Sequence, residues 1–434
     1  MTTATPPRAT GVALQREGRS VVVEFDEEIA TDRPTLRFES GLGITGWSLG
    51  ASGRTLIIEP ASRIDGFERL SLEGISDRAQ RANWIRPTAL EIEPPLWPSD
   101  RGGLAFLWQT GNAANLIWDR SLGIERASSI TGAGRAFLDH DFAMALDGGR
   151  FLASEEDSRS IVESCRKSNE LSLEAVITPA TATGASLRRI ISLSGGTPQS
   201  RNLFLAQRGD LLVLGSRPGG AGAGSAGQVE IVRLPAATAS HILIAYRVGR
   251  LVAYLNGEQV LETESVQSDF FHWRPRPLLF GDGPGGGETW RGGLEGVAVY
   301  DRFVESDEAR ENFLRYRSER AARPVVERLV VDAILTARSR APSLQEITPY
   351  RQALAVFEYR VERVLEGTAP DGSLRVAHWS ILDSDTLEIN REPRVGESLR
   401  LVVERFVDNP QLESVYLADT LEPRDSTLFY AVPL

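Results

Sequence analysis

Residues 288–302 read ETWRGGLEGVAVYDR, and residues 241–262 read HILIAYRVGRLVAYLNGEQVLE. In the second stretch Ile242, Ile244 and Tyr246 alternate against His241, Leu243, Ala245 and Arg247, the period-two signature of a strand. A short turn leads into LVAYL, and Asn256-Gly257 then supplies two residues tolerant of positive φ, the strongest hairpin signal in the chain. GVAVY (296–300) reads as a further strand that ends at Asp301-Arg302. A helix is predicted to begin near Ser306: the serine can cap it, and Asp307 and Glu308 favour its positive end. Ala309, Phe313 and Tyr316 follow at i, i+4 and i+7. Upstream, LSLEAVIT (171–178) sets Leu171, Leu173, Ala175 and Ile177 on one face and Ser172, Glu174 and Thr178 on the other. The middle of the chain is therefore antiparallel β structure closed by one helix.

Working outward, 434 residues exceed one ordinary core, and about three domains of roughly 100–200 residues is the natural division. Residues 1–98 carry short β-rich runs, SVVVEFDEEI (20–29), PTLRFES (34–40), RTLIIEP (54–60) and FERLSLEGISD (67–77), punctuated by Gly, Asp and Pro turns. EIEPPLWPSDRGG (91–103) reads as a stiff linker, since Pro94, Pro95 and Pro98 cannot join a central strand. In residues 323–434, ALAVFEYRVERVLEG places Ala355, Phe357, Tyr359 and Val361 on one face. SLRVAHWSILD and ESLRLVVERF repeat the rhythm, which predicts a small β-barrel or sandwich.

Three resemblances sharpen this all-β reading. LSLEAVI (171–177), RRIISLSGG (188–196), RNLFLAQRGD (201–210), HILIAYR with LVAYLNG, and Trp290-Arg291-Gly292 running to Tyr300-Asp301-Arg302 follow one another in a fixed order over about 150 residues. Residues 99–322 resemble the laminin-G-like superfamily, which implies a concanavalin A-like two-sheet jelly roll with a terminal helix. Val176 departs from that pattern, where many relatives carry tryptophan, and PGGAGAGSAG (218–227) reads as a lengthened loop. Residues 1–98 resemble bacterial Ig-like modules, through Val21, Val23 and Phe25 in an opening strand and Leu72, Gly74 and Asp77 in a closing one. Residues 323–434 resemble an OB-like barrel.

The totals exclude several functions. A net charge of −11 argues against nucleic acid, whose phosphates need a basic face. No segment approaches the ~18–20 apolar residues of a membrane span. Cys165 is the only cysteine, so neither an internal disulfide nor a cysteine zinc site can form. Lys167 is the only lysine; every other basic side chain is an arginine. Codon bias accounts for that; so does a surface suited to forked contacts with carboxylates or sulfates on acidic polysaccharides.

Catalytic constellations are hard to find. GxGxxG occurs at Gly222, Gly224 and Gly227 and again at Gly281, Gly283 and Gly286, but strand patterns follow both, where a dinucleotide site needs a helix. Glu24, Asp26 and Glu28 have the spacing of a strand-borne glycosidase site yet precede the jelly roll by about eighty residues. AGSAG (223–227) fails as a nucleophile elbow, and His140, His241, His272 and His378 are scattered without an HExxH pair. DFFHWRPRP (269–277) instead suggests sugar contact, with Phe271, His272 and Trp273 beside Arg274 and Arg276; Trp108, Trp118 and Trp290 read as core. The resemblance further implies a rim Ca²⁺, for which Asp139, Asp141 and Asp282 are the candidates.

The expectation is a non-enzymatic multi-module protein that binds a carbohydrate or an envelope protein partner, secreted or periplasmic at the bacterial cell surface and linked to exopolysaccharide. The envelope setting is implied by the resemblance alone, and MTTATPPRATG lacks the layout of a secretory leader, which leaves a cytoplasmic setting open. The alternatives are a scaffold subunit that binds other proteins and a divergent polysaccharide hydrolase or lyase.

Overall fold

In the computed structural model, the described residues are 5–15, 20–31, 33–50, 52–62, 64, 68–79, 81–92, 97–110, 116–119, 124–127, 130–180, 184–197, 200–216, 227–370, 372–382, 385–386, 393–422 and 426–432. Pro94, Pro95, the loop 218–226 with Gly222 and Gly224 of the first glycine motif, and the side chain of Trp118 lie outside them. The chain is all-β, and it groups into two compact units: Met1–Arg101 with Leu314–Ala322, and Gly102–Phe313 with Arg323–Leu434.

In the first unit, strands Ala9–Gln15, Ser20–Phe25, Thr55–Pro60 and Ile44–Leu49 form one sheet, and Thr35–Phe38, Glu68–Glu73 and Thr88–Ile92 another. Val21, Val23 and Phe25 share an apolar core with Phe38, Leu70 and Leu72. Alternation explains it: Ser20–Phe25 turns Val21, Val23 and Phe25 inward and places Val22 and Glu24 on the other face. Gly74 sits at φ +73°, with an ideal Cβ only 3.2 Å from the Arg33 carbonyl, so the closing strand needs a glycine there.

The second unit opens with a two-sheet jelly roll. Across one sheet, Leu104–Gln109, Arg291–Tyr300, Glu170–Pro179, Ser240–Arg247, Arg250–Leu255 and Glu258–Thr263 lie side by side. The facing sheet has seven strands among the described residues, in the order Thr131–Ala133, Arg150–Leu152, Leu278–Phe280, Arg188–Ser194, Arg201–Arg208, Leu211–Ser216 and Gly227–Arg233. Leu171, Leu173, Ala175 and Ile177 meet Ile191, Leu193, Leu203, Leu205 and Phe280 between the layers. Asn256 and Gly257 take φ values of 51° and 79°, the left-handed pair the hairpin requires.

Helix Glu155–Ser168 is not evident from the periodicity of its neighbours, though its signals are present. Ser154 and Asp157 form a capping box, Asn169 ends the helix at φ 59°, and Ile161, Val162 and Cys165 face the core. The predicted second helix spans Ser306–Ala322.

The residues that carry the laminin-G resemblance form a buried polar clasp. On the outer face of the first sheet, Glu174 Oε1 lies 2.6 Å from His241 Nε2, and Glu174 Oε2 accepts from Tyr300 Oη and Asn312 Nδ2, each at 2.8 Å. All four side chains are buried, so the carboxylate is tolerated because hydrogen bonds satisfy both of its oxygens. The start of helix Ser306–Ala322 is thereby tied to three strands. The Tyr300 hydroxyl is held well above its usual pKa by burial and then by the charge of Glu174.

The last segment is a closed five-stranded barrel, which decides between the two expected forms. Arg328–Arg338, Ala353–Glu366, Ser373–Leu382, Ser398–Arg405 and Leu428–Ala431 pair in the order first, second, third, fifth, fourth and back to the first. The third and fifth strands are parallel. This is the Greek-key arrangement of an OB-like barrel. Register shifts at Val330/Val331, Asp332/Ala333 and Leu335/Ala337 bend the first two strands around a core that includes Phe357, Tyr359, Val376 and Val403.

Jelly roll and barrel share an apolar seam. Phe137 and Ala145 pack with Leu354, Trp379, Leu412 and Tyr430, and the Phe137 and Trp379 rings are 5.8 Å apart. Beside it, His140 Nδ1 lies 3.6 Å from Glu404 Oε2, and Arg328 Nε lies 3.0 Å from Glu404 Oε1.

Candidate ligand-binding site

The seven-stranded sheet has an outer face that is polar yet closely packed. Strand alternation turns Leu203 and Leu205 into the core and leaves Asn202, Phe204 and Ala206 on the other side. Ser192, Ser194, Asn202 and Arg189 on or beside this face are all buried. Phe204 is the centrepiece. Its ring lies across Gly215, where an ideal Cβ would come within 2.1 Å of Cζ. The guanidinium carbons of Arg189 and Arg201 stand 4.2 and 4.8 Å from its centroid, within cation–π range.

The two arginines are neutralised differently. Arg189 Nε is 2.6 Å from Glu288 Oε2, and its Nη1 donates to Ser192 Oγ at 3.2 Å. The Arg201 side chain makes no hydrogen bond or ion pair among the described residues. Burial, and then the charge of Arg189, hold it below the usual arginine pKa, with Glu288 offsetting part of the effect. A guanidinium in that setting remains charged and has its fork of donors available to an anion.

Asp282 supports this arrangement from behind. Its Oδ1 accepts from the backbone N–H of Gly283 at 2.7 Å and of Glu288 at 3.0 Å, fixing the loop that delivers Glu288. The second glycine motif, at Gly281, Gly283 and Gly286, is part of this loop and leads into strand Arg291–Tyr300, not into a helix. Asp139 and Asp141 organise a different turn. Asp139 Oδ1 accepts from the N–H groups of Asp141 and Ala143 at 3.0 and 2.8 Å, while Asp141 lies 3.7 Å from His140. Burial pushes Asp139 up to about 6. Among the described residues no three His, Cys, Asp or Glu side chains converge as metal ligands, so the three candidate aspartates do not make one calcium cage.

The aromatic loop differs from its sequence reading. Trp273 is 3% exposed and packs on Phe270 with centroids 4.7 Å apart, so its face is not open to a sugar. The space beside it measures about 20 Å³, room for one water. The prolines put the backbone at the surface, but the ring turns inward because the core beneath has room for it. Phe271 is the ring left outside, 78% exposed, with Arg166 6.0 Å from its centroid. His272 is half-buried, its Nδ1 3.6 Å from Asp269 Oδ1. Arg274 uses its Nη1 on the carbonyls of Phe271 and Trp273, and Arg276 is half-buried. The loop nevertheless reaches the sheet face. Asn202 Nδ2 donates to the Arg274 carbonyl at 2.7 Å, and Asn202 Oδ1 accepts from its N–H at 3.3 Å. Asn202 is the neighbour of Arg201. Trp108 and Trp290 are core residues, the latter donating from Nε1 to Gln207 at 2.7 Å.

Sequence reasoning missed Arg201 and Phe204. The only signal was the placement of Phe204 in RNLFLAQR, on the face opposite the leucines; Arg201 opens the strand and carries no such mark. The carboxylate trio of the N-terminal unit is dispersed: Asp26 accepts from the N–H of Arg8, and Glu28 pairs with Arg78 at 3.6 Å.

Two β layers, a clasp built from the motif residues and a terminal helix are now in place. Residues 155–310 match the family model of the concanavalin A-like lectin/glucanases superfamily. No curated protein matches the chain. Among solved structures, domain 4 of an extracellular arabinanase from Geobacillus stearothermophilus, in complex with arabinotriose, is 14% identical over 48% of this chain and 97% of that one, with a TM-score of 0.35. The binding domain of Paraclostridial Mosquitocidal Protein 1 is 11% identical over 61% and 64%, with a TM-score of 0.39. The binding domain of botulinum neurotoxin DC, in complex with rat synaptotagmin II, is 10% identical over 71% and 73%, with a TM-score of 0.38. The Arg201 face belongs to the concanavalin A-like segment. No helix among the described residues is long and apolar enough to cross a membrane.

Proposed function

We propose that this chain is a non-catalytic binding protein whose concanavalin A-like segment holds an acidic polysaccharide, acting outside the cell or at its envelope. One observation carries the reading: among the described residues Arg201, on the Phe204 ring, makes no ion pair, while Arg189 beside it pairs with Glu288. A uronate or sulfate at Arg201 supplies the missing charge, and the forked guanidinium suits either group. The net charge of −11 makes capture through overall attraction impossible, so recognition rests on this local site.

The test is affinity electrophoresis of the full chain through gels containing polygalacturonate, alginate or neutral dextran. Retardation by an acidic polymer, absent with dextran and lost in Arg201→Ala at an unchanged melting temperature, is the expected result. Equal retardation of wild type and Arg201→Ala, or none in any gel, overturns it. Recovery of a protein partner whose capture survives Arg201→Ala favours a scaffold role instead, and release of reducing ends from the polymer favours an enzyme.

A further inference from the structure

We propose a second glycan subsite, in the cleft where the jelly roll meets the barrel. The cleft measures about 420 Å³ and is lined by Ile130, Thr131 and Gly132 of the jelly roll and by Tyr350, Arg351, Gln352 and Ser414 of the barrel. Its size falls within the ~300–1,000 Å³ of small-ligand pockets, which favour junctions of this kind.

The lining has the chemistry of a sugar contact. Tyr350 is 50% exposed, and its ring is braced 6.0 Å from that of Tyr416, so an aromatic face is held at the cleft and not left to rotate freely. Its backbone is fixed as well. The Tyr350 N–H donates to the Ile347 carbonyl at 2.7 Å, Ile347 is buried, and the Tyr416 N–H donates to the Gln352 carbonyl at 3.3 Å. Thr131, Ser414, Gln352 and Arg351 share the cleft lining with Tyr350, so hydroxyl, amide and guanidinium side chains border the ring's cleft. Strand Thr131–Ala133 ends its sheet among the described residues, and its outer edge offers backbone donors and acceptors. An aromatic plane flanked by hydroxyls and one amide suits the apolar face and equatorial hydroxyls of a pyranose. Among the described lining residues Arg351 is the one charged side chain. An extended peptide added to the edge strand is the competing occupant, and three residues of edge give it little to pair with.

The experiment isolates this cleft from the sheet face. In the full chain carrying Arg201→Ala, saturation-transfer NMR is recorded with cellotetraose, xylotetraose, tetragalacturonate and an alginate tetramer. At least one is expected to bind. Tyr350→Ala added to that background weakens it roughly tenfold, the equivalent of one lost stacking face. Ser414→Trp, which fills the cleft and keeps the ring, abolishes binding, and Tyr350→Phe retains it. Both tested side chains are exposed, so melting temperatures stay level. The proposal falls if none of the four sugars binds, or if Tyr350→Ala and Ser414→Trp bind as tightly as their parent.

Discussion

Arg189 and Arg201 share one phenylalanine ring but not one fate, since among the described residues only the first forms an ion pair with a carboxylate. The same contrast of solvated and sealed charges governs the histidines. His378 is buried against Tyr359, its Nε2 3.0 Å from the phenol oxygen, and burial lowers it to about 3. Between that value and the ordinary 6.5, the unfolded chain binds a proton that the folded chain refuses. This contribution to stability is present at neutral pH and is lost as pH falls through that window. His378→Gln carries no such titration, so its urea midpoint, measured against wild type from about pH 7 down to about pH 4, is expected to close on the wild-type value in acid. A constant difference across the range contradicts the assignment. His140 acts in the opposite sense: its hydrogen bond to Glu404 raises it, so its contribution is complete below 6.5 and fades as pH climbs past the raised value.

At the scale of single strands and helices, glycine and polar burial set the tolerances. Gly215→Ala places a methyl inside the Phe204 ring, and the ring, held between two guanidiniums, has to give way. A destabilisation of about 1–3 kcal/mol is expected, with loss of acidic-polymer retardation, and chemical denaturation beside the gel assay reads both. Wild-type stability in Gly215→Ala would show that the ring is mobile. Glu174→Ala strands the Tyr300 hydroxyl, the Asn312 amide and the His241 ring under the helix. About 3–5 kcal/mol should be lost, and amide exchange over residues 306–313 should accelerate. Much of this architecture was legible because its code is local: leucines two apart in LSLEAVI, Asn256-Gly257 at the hairpin, and Val21, Val23 and Phe25 two apart in the opening strand. What was not legible depends on distant partners. Trp273 is drawn inward by Phe270 and Tyr246, Arg201 earns its significance only from Arg189 across the strand, and Tyr350 is displayed by Tyr416, sixty-six positions later.

At the scale of the whole second unit, the seam of Phe137 with Trp379 makes two architectures one cooperative body. Phe137→Ala removes the jelly roll's ring from that seam and is expected to cost about 3 kcal/mol. Hydrogen exchange should then rise in strand Ala136–Leu138 and, equally, in barrel strand Ser373–Leu382. A rise confined to the first would mean that the two fold independently. Barrel closure could not have been inferred from composition, because it rests on a parallel pairing between Arg375–Ala377 and Leu428–Tyr430, about fifty residues apart.

Cys165 is wholly enclosed where helix Glu155–Ser168 meets the core, and there is no other thiol. Maleimide reagents should therefore leave the native protein unmarked. A cysteine installed at an exposed position outside the cleft lining, such as Ser265, becomes a unique handle for a fluorophore, and sugar docking can then be followed on the unaltered remainder of the molecule without first engineering a background free of competing sulfhydryls.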